Sequence, residues 1–96
     1  MKKAPKHLKT AARRMWERLQ DDFCIDDSAG LCLLEAACSA YQLSEDAREL
    51  VRREGLTVTD RFGQARPHPG CAIERDARGQ MIAAFRALKL SPGEVN

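Results

Sequence analysis

Aromatic residues are scarce in this 96-residue chain, at 5% of the sequence, whereas Ala, Leu, Arg and Glu are plentiful. This balance favours helices over sheets and argues against an all-β fold. No apolar run approaches the ~18 residues of a membrane-spanning helix, and no signal-type apolar stretch follows the basic start. The length supports one domain at most. We therefore expect a single, mainly α-helical cytoplasmic domain with no membrane contact.

The residue patterns that support metal binding or catalysis are also missing. The chain has no Cys-x-x-Cys or His-x-x-x-His pair, no phosphate-binding glycine loop, and no nucleophile paired with an evident base. The acid pairs Asp21–Asp22 and Asp26–Asp27 flank a helix junction, where capping explains them. We expect no catalytic residue, no metal and no cofactor. A cytosolic chain keeps its cysteines reduced, as small core residues: Cys24, Cys32, Cys38 and Cys71.

Charge is distributed unevenly along the chain, although the formal net charge is only +2. Residues 1–20 hold seven Lys or Arg against one Glu, and residues 21–49 hold eight acids against one Arg. The N-terminal stretch is therefore able to attract phosphate, and the middle repels it. A charge run is often a solvated face, but clustered cations on an arm and one helix face also neutralise DNA phosphates.

The first third of the chain predicts an arm followed by a helix. Residues 1–7 are polar, basic and broken by Pro5, so we expect a flexible arm. From Leu8 the apolar residues recur with the period of an amphipathic helix that ends near Asp22. Trp16 lies on the apolar stripe and is expected in the core. A single domain then extends over residues 8–90, with a tail over residues 91–96.

A second helix is predicted from Asp27 to Glu54, with Gly55 as the residue that ends it. Its small surface residues predict close packing against another helix, from the same chain or from a neighbour. The alternative is a break near Ser44, which would cap a third short helix starting at Glu45. Unbroken, the helix would be roughly 42 Å long, too long for one small domain to cover.

A short β-hairpin is predicted between the second helix and the last one. Residues 56–59 have strand composition, and residues 60–63 form a turn in which Gly63 is able to take positive φ. The return strand covers residues 64–66, since Pro67 cannot donate to a ladder. Pro69 then suits the first turn of the last helix, with His68 in the capping region. The apolar face predicted for that helix comprises Ile73, Ala77, Met81, Ala84, Phe85 and Leu88.

The last third of the chain resembles the P27-like family of phage terminase small subunits. The residues that carry the resemblance are the run from Gly55 to Gln64, the run from Arg66 to Pro69, and the run from Ala72 to Arg78. Three earlier segments, 4–8, 12–16 and 33–38, are similar to the N-terminal block of that family. The blocks stand in the family's order and cover nearly the whole chain.

The resemblance implies a non-enzymatic protein that recognises double-stranded viral DNA in the host cytoplasm and brings it to the large terminase subunit. It also implies a homo-oligomer, with a ring as the expected form. The residues expected to contact DNA are Lys2, Lys3, Lys6, Lys9, Arg13 and Arg14. The residues expected at the oligomer interface are Leu33, Ala37, Ala40, Tyr41, Arg75 and Arg78.

Other functions remain open from the sequence. The main alternative is a small helical DNA-binding transcription regulator, which needs a recognition helix with exposed Arg, Asn or Gln after a short turn. A metal or redox module that uses the cysteines is a third hypothesis. For the last helix, Arg75, Arg78 and Arg86 form a solvated face, a subunit interface or a second DNA-facing surface.

Overall fold

A computed structural model describes residues 2–89 of the chain. Within that range the protein is mainly α-helical, with three helices and one antiparallel hairpin placed before the last helix, as the sequence predicts. The predicted tail over residues 91–96 lies outside the described residues, as do Met1 and Leu90. The elements in chain order are α1 (Thr10–Phe23), α2 (Ser28–Glu54), β1 (Thr57–Thr59), β2 (Ala65–Pro67) and α3 (Pro69–Ala87).

Helix α1 begins two residues later than the predicted start at Leu8. Leu8 belongs to a turn in which its N–H donates to the Pro5 carbonyl at 3.2 Å, and Lys9 follows in extended conformation as the N-cap. At the other end Cys24 takes a left-handed conformation, with φ of 49°. A left-handed residue turns the chain out of the helical path and so ends the helix. The Cys24 N–H still donates to the Gln20 carbonyl in the last turn of α1, at 2.9 Å.

Helix α2 is one continuous helix of 27 residues, about 40 Å long at 1.5 Å per residue. Its N-terminus is capped by Asp27, whose Oδ2 accepts from the N–H of Gly30 at 2.8 Å. The predicted alternative of a break near Ser44 is not observed, since the helix continues through this residue. The Ser44 hydroxyl donates to the Tyr41 carbonyl at 2.8 Å and does not cap a new helix. The helix ends at Glu54, and Gly55 follows with φ of 92°.

Strands β1 and β2 pair in antiparallel register, with Val58 opposite Arg66. The return strand starts one residue later than predicted and includes Pro67, which lies opposite Thr57. A proline is tolerated there because a two-stranded hairpin leaves an edge without ladder bonds. The turn between the strands contains Gly63 with φ of 78°, as predicted.

His68 joins the end of α2 to the start of α3 and is almost fully buried. Its Nδ1 accepts from the N–H of Gly70 at 2.8 Å, so it is the N-cap of α3, as its position predicts. Its Nε2 then carries the proton and donates to Glu54 Oε1 at 2.7 Å. Gly70 lies so close to α2 that a Cβ on it would approach a methyl group of Val51 to 2.8 Å.

The buried core has two parts along α2. Larger side chains from the arm, α1 and the N-terminal half of α2 form one cluster: Leu8, Ala12, Trp16, Ile25, Leu34 and Cys38, with Leu88 packed against it. Small residues of α2 and α3 form the other, which brings the two helices together as an antiparallel pair: Ala37, Ala40, Ser44, Ala47, Val51, Gly70, Ala77 and Ala84. Ile73, predicted for the apolar face of α3, is instead exposed.

The molecule is elongated, with principal extents of 54 × 24 × 21 Å. Its radius of gyration is 16.2 Å, whereas a compact domain of this length has roughly 12 to 13 Å. The long dimension follows α2, so the α1–α2 junction and the hairpin lie at opposite ends of that helix. Among residues 2–89, no helix has the length and apolar character needed to cross a membrane.

Candidate nucleic-acid interface

The basic arm, residues 2–7, lies against α1 through backbone contacts. The indole N–H of Trp16 donates to the carbonyl of Lys2 at 3.0 Å, and Ala4 packs against the core cluster. The ring Nε2 of His7 lies 3.0 Å from the hydroxyl of Ser39 on α2. The side chains of Lys2, Lys3 and Lys6 remain exposed. The contacts therefore hold the arm's main chain and leave its ammonium groups accessible to phosphate.

Gln42 binds the C-terminal end of the arm through two hydrogen bonds, a role that the sequence pattern does not predict. Its Oε1 accepts from the Lys9 N–H at 2.5 Å, and its Nε2 donates to the His7 carbonyl at 3.4 Å. An isolated glutamine on a helix has no sequence pattern that separates this role from simple solvent exposure. Only the position of the arm across α2 reveals it.

Two of the six predicted DNA-contact residues are engaged within the chain. The Arg13 guanidinium donates to the carbonyl of Leu8 at 3.1 Å and to that of Lys6 at 3.5 Å, so it braces the arm. The Lys9 ammonium lies 3.6 Å from a carboxylate oxygen of Asp46, and both groups are exposed. An exposed pair of this kind is weak, so Lys9 remains able to bind phosphate at little cost.

Arg14 lies on a different side of α1 from the arm. With Arg18, one helical turn later, it borders a shallow depression that Met15 and Tyr41 also line. Lys2 and Lys3 border another depression, with Trp16 and Glu35. Neither Arg14 nor Arg18 forms an ion pair within the described part of the chain. The predicted basic set is thus divided into an arm cluster (Lys2, Lys3, Lys6) and a helix cluster (Arg14, Arg18), and Arg18 was not in the predicted set.

Carboxylates border the basic surface at the α1–α2 junction. Four exposed aspartates lie there: Asp21, Asp22, Asp26 and Asp27. None of the four is in an ion pair within residues 2–89, and Asp27 caps α2. The negative charge of these carboxylates disfavours phosphate at the C-terminal end of α1.

The arginines of α3 present a weaker alternative surface. Arg78 Nη2 lies 2.5 Å from Glu74, and Arg75 Nε lies 3.5 Å from Asp76. Each of these guanidinium groups is therefore balanced by a carboxylate on its own helix, as the i, i+4 spacing of Glu74 and Arg78 predicts. Arg86 is exposed. Partial neutralisation makes this face less attractive to phosphate than the N-terminal clusters.

The predicted oligomer-interface residues do not share one accessible surface. Ala37 and Ala40 are buried inside the chain. Leu33 and Tyr41 are half-buried, and Arg78 and Arg75 are exposed on α3. These small residues of α2 are therefore covered by their own chain, which is one of the two possibilities that the sequence allows.

The four cysteines are free thiols in different surroundings. Cys24 and Cys32 are exposed, Cys71 is half-buried and Cys38 is buried. Burial raises the pKa of the Cys38 thiol to about 12, so this thiol stays protonated and unreactive. Within residues 2–89, no group of three or more His, Cys, Asp or Glu side chains is arranged to hold a metal ion.

Three helices, a short hairpin and an exposed basic N-terminal surface define a small, mainly helical protein. The model of one family, described as phage terminase, small subunit, matches residues 12–94. The chain belongs to the phage terminase small-subunit family. Comparison with curated proteins and with solved structures finds no match.

The family match begins at Ala12 and therefore leaves the arm outside it. Arg13, Arg14 and Arg18 lie inside the matched region, and the lysines at positions 2, 3, 6 and 9 lie before it. The match supports the small-subunit assignment, and the P27-like subtype stays a prediction. The family match therefore carries no information about the function of the arm.

Proposed function

We propose that this protein is the non-enzymatic DNA-recognition subunit of a phage packaging terminase. It binds double-stranded viral DNA in the host cytoplasm as a homo-oligomer and brings the DNA to the large subunit. The family match supports the packaging role, and members of the family are generally non-catalytic. The observation that carries the DNA role is the set of exposed cations on the arm and α1, most of them without an ion-pair partner in the described residues.

The DNA contact is assigned to two clusters, which differ from the set predicted from sequence. The arm cluster places Lys2, Lys3 and Lys6 on a backbone that Trp16 and Leu8 hold against the core. The helix cluster places Arg14 and Arg18 one turn apart on α1. Arg13 supports the DNA contact indirectly. Its guanidinium donates to the carbonyl groups of Lys6 and Leu8 and so holds the arm in place. Lys9 contributes charge beside Asp46.

Salt-dependent DNA binding tests this assignment. Each phosphate contact contributes about 0.9 to the slope of log K against log salt. Replacing Lys2, Lys3 and Lys6 by Ala should weaken binding and reduce that slope by roughly 2 to 3. The Arg14→Ala, Arg18→Ala variant should reduce it by roughly 2. Unchanged affinity and slope in both variants would reject the N-terminal surface.

The matched control is the Arg75→Ala, Arg86→Ala variant, which removes the same number of charges from α3 as the helix-cluster variant removes from α1. We expect its affinity and slope to stay near those of the wild type. A larger loss in this variant than in either N-terminal variant would move the DNA site to α3. All of these side chains are exposed, so the fold should tolerate the changes.

Large-subunit recruitment and self-association need separate measurements. Co-purification of the protein with the large terminase subunit of the same phage should recover both chains, and failure to recover them would reject the recruitment role. Light scattering should give a multi-subunit mass that does not depend on concentration. A strict monomer at high concentration would reject the oligomer.

The transcription-regulator alternative loses support from the structure of α2. A helix-turn-helix reader would use α2 as the recognition helix after the short turn at residues 24–27. The first basic residue of α2 is Arg48, some five turns into the helix, and the turn before it is acidic. A helix that begins in this way repels the phosphates that border a major groove.

A further inference from the structure

The tip of the β-hairpin holds an exposed aromatic side chain on a rigid turn. Phe62 is 73% exposed, and the Arg61 guanidinium lies over its ring at 4.9 Å. Asp60 Oδ1 accepts from the N–H groups of Phe62 and Gln64, each at 2.9 Å, and its Oδ2 accepts from Arg66 Nε at 3.0 Å. A preorganised aromatic–arginine pair in water is typical of the side chains that dominate protein interfaces.

A cavity of about 200 Å³ lies at the other end of the molecule, at the α1–α2 junction. Its lining residues are Lys2, Gln20, Cys24, Ile25 and Asp26. Gln20 is only 2% exposed, and its amide nitrogen has no hydrogen-bond partner among the described residues. A buried donor without a partner is costly, so the cavity is suited to a ligand that brings a hydrogen-bond acceptor.

The tip and the cavity are complementary in charge and size. Asp26 lies in the cavity wall, and three more aspartates surround the junction, whereas Arg61 has no carboxylate partner in the part of the chain that the structure describes. Lys2 is the one cation among the lining residues and is able to donate to a carbonyl. A cavity of roughly 150 Å³ is enough to hold benzene, so the phenyl ring of Phe62 fits.

The tip and the cavity of one molecule cannot meet. Helix α2 separates them, with the junction before Ser28 and the hairpin after Glu54, at about 1.5 Å for each of its 27 residues. Any contact between them therefore joins two molecules. Because the two surfaces differ, the contact is heterologous and repeats from one copy to the next, closing into a ring if the rotation allows.

We propose that the Arg61–Phe62 tip of one copy inserts into the Gln20–Asp26 cavity of the next. The phenyl ring of Phe62 fills the cavity, the Arg61 guanidinium pairs with Asp26, and a backbone carbonyl of the turn accepts from the Gln20 amide. This inference rests on the self-association in the proposed function, and it names the two surfaces that touch. They differ from the interface residues that the sequence predicts.

A mixing experiment tests the proposal. The tip variant Arg61→Ala, Phe62→Ala keeps an intact cavity, and the cavity variant Asp26→Lys, Ile25→Glu keeps an intact tip. Each should be a monomer by light scattering, and their mixture should give a 1:1 dimer that grows no further. Wild-type mass in the tip variant overturns the proposal, and so does a mixture that stays monomeric.

Ile25 is buried, so the cavity variant risks unfolding. Asp26→Lys alone is the second cavity variant, because Asp26 is exposed. It should raise the dissociation constant of the oligomer at least tenfold while the circular dichroism spectrum stays helical. An unchanged dissociation constant in this variant overturns the proposal.

Disulfide trapping provides a direct readout, because Cys24 lies in the cavity wall. Phe62→Cys should form an intermolecular disulfide with Cys24 under mild oxidation and give a ladder on a non-reducing gel. The ladder should disappear when Cys24→Ser is added. Thr57→Cys is the matched control, at an exposed hairpin position away from the tip, and it should give no ladder. Equal trapping at both positions overturns the proposal.

The two proposals fail in different measurements. If the tip variant keeps the wild-type mass while the arm variants lose DNA affinity, only the tip-in-cavity contact is wrong. If the tip variant becomes a monomer while the arm variants bind DNA like the wild type, the tip-in-cavity contact is supported and the N-terminal DNA surface is rejected.

Discussion

Trp16 and Lys2 are joined by a hydrogen bond of 3.0 Å from the indole N–H to the backbone carbonyl. Trp16 is buried in the core cluster and Lys2 begins the basic arm. The bond therefore connects the hydrophobic core to the segment that we assign to DNA. It fixes the path of the arm while the ammonium groups stay in water.

Trp16→Phe removes this donor and keeps an aromatic ring in the core. We expect the free energy of unfolding to fall by about 1 kcal/mol or more, because a part-buried hydrogen bond is lost and the ring is smaller. Limited trypsin digestion should cut faster after Lys3 and Lys6. Tyr41→Phe is the control, since it changes an aromatic side chain away from the arm. Equal cleavage rates in both variants would show that the bond does not hold the arm.

Gly70 and Gly79 lie on the same helix and should respond oppositely to alanine. A Cβ at position 70 would approach Val51 to 2.8 Å and His68 Nδ1 to 3.0 Å, so Gly70→Ala should cost about 1 to 3 kcal/mol. Position 79 has open space, so Gly79→Ala should stabilise by about 0.5 to 1 kcal/mol through helix propensity. Denaturant unfolding measures both. Effects of the same sign would contradict the close approach of α3 to α2.

Thiol labelling should separate the cysteines by burial. At pH 8, iodoacetamide should modify Cys24 and Cys32 quickly and reach Cys38 only after unfolding, which mass spectrometry resolves. The raised pKa of Cys38 also sets a pH dependence. Its contribution to stability is full below the ordinary pKa of 9.0 and is lost as the pH rises from there towards 12. Rapid labelling of Cys38 in the folded protein would show that the core opens.

Acid should loosen the hairpin turn before it unfolds the helices. The N–H of Gln64, the Arg66 guanidinium and the N–H of Phe62 hold the pKa of Asp60 below its ordinary value of 3.8. The carboxylate therefore stabilises the turn above that pH, and this contribution is lost as the pH falls through the lowered pKa. The amide chemical shifts of Phe62 and Gln64 should follow the titration. Asp60→Ala should abolish it, and a midpoint above 3.8 in the wild type would contradict the hydrogen-bonded turn.

Much of the fold could be predicted from the sequence, because the decisive signals are local. These signals each act within one or two turns of the chain. They are the periodic apolar residues of the helices, the Asp27 cap, Gly55 after α2 and Pro69 after His68. The hairpin follows from the turn at residues 60–63 in the same way. The sequence leaves the continuity of α2 at Ser44 open, since a serine suits a cap as well as a helix interior, where its hydroxyl bonds the preceding turn.

The composition of the basic surface depended on three-dimensional packing. The sequence determined that cations concentrate in residues 1–20, and it named the family. It could not separate Arg13, which braces the arm, from Arg14, which faces solvent, because adjacent residues on a helix differ by only 100° and the arm's path was unknown. It also could not show that Ala37 and Ala40 are buried within the same chain.

Local patterns in the sequence specify the helices, the hairpin and the separation of charge along the chain. Tertiary structure alone decided which of those charges are available and placed the tip and the cavity at opposite ends of α2. The physical reason is the distance along the sequence over which each kind of interaction acts. Caps and periodicity are encoded by neighbours in sequence, whereas exposure, the unpartnered Gln20 amide and the cavity around it arise from segments that meet only when the chain folds.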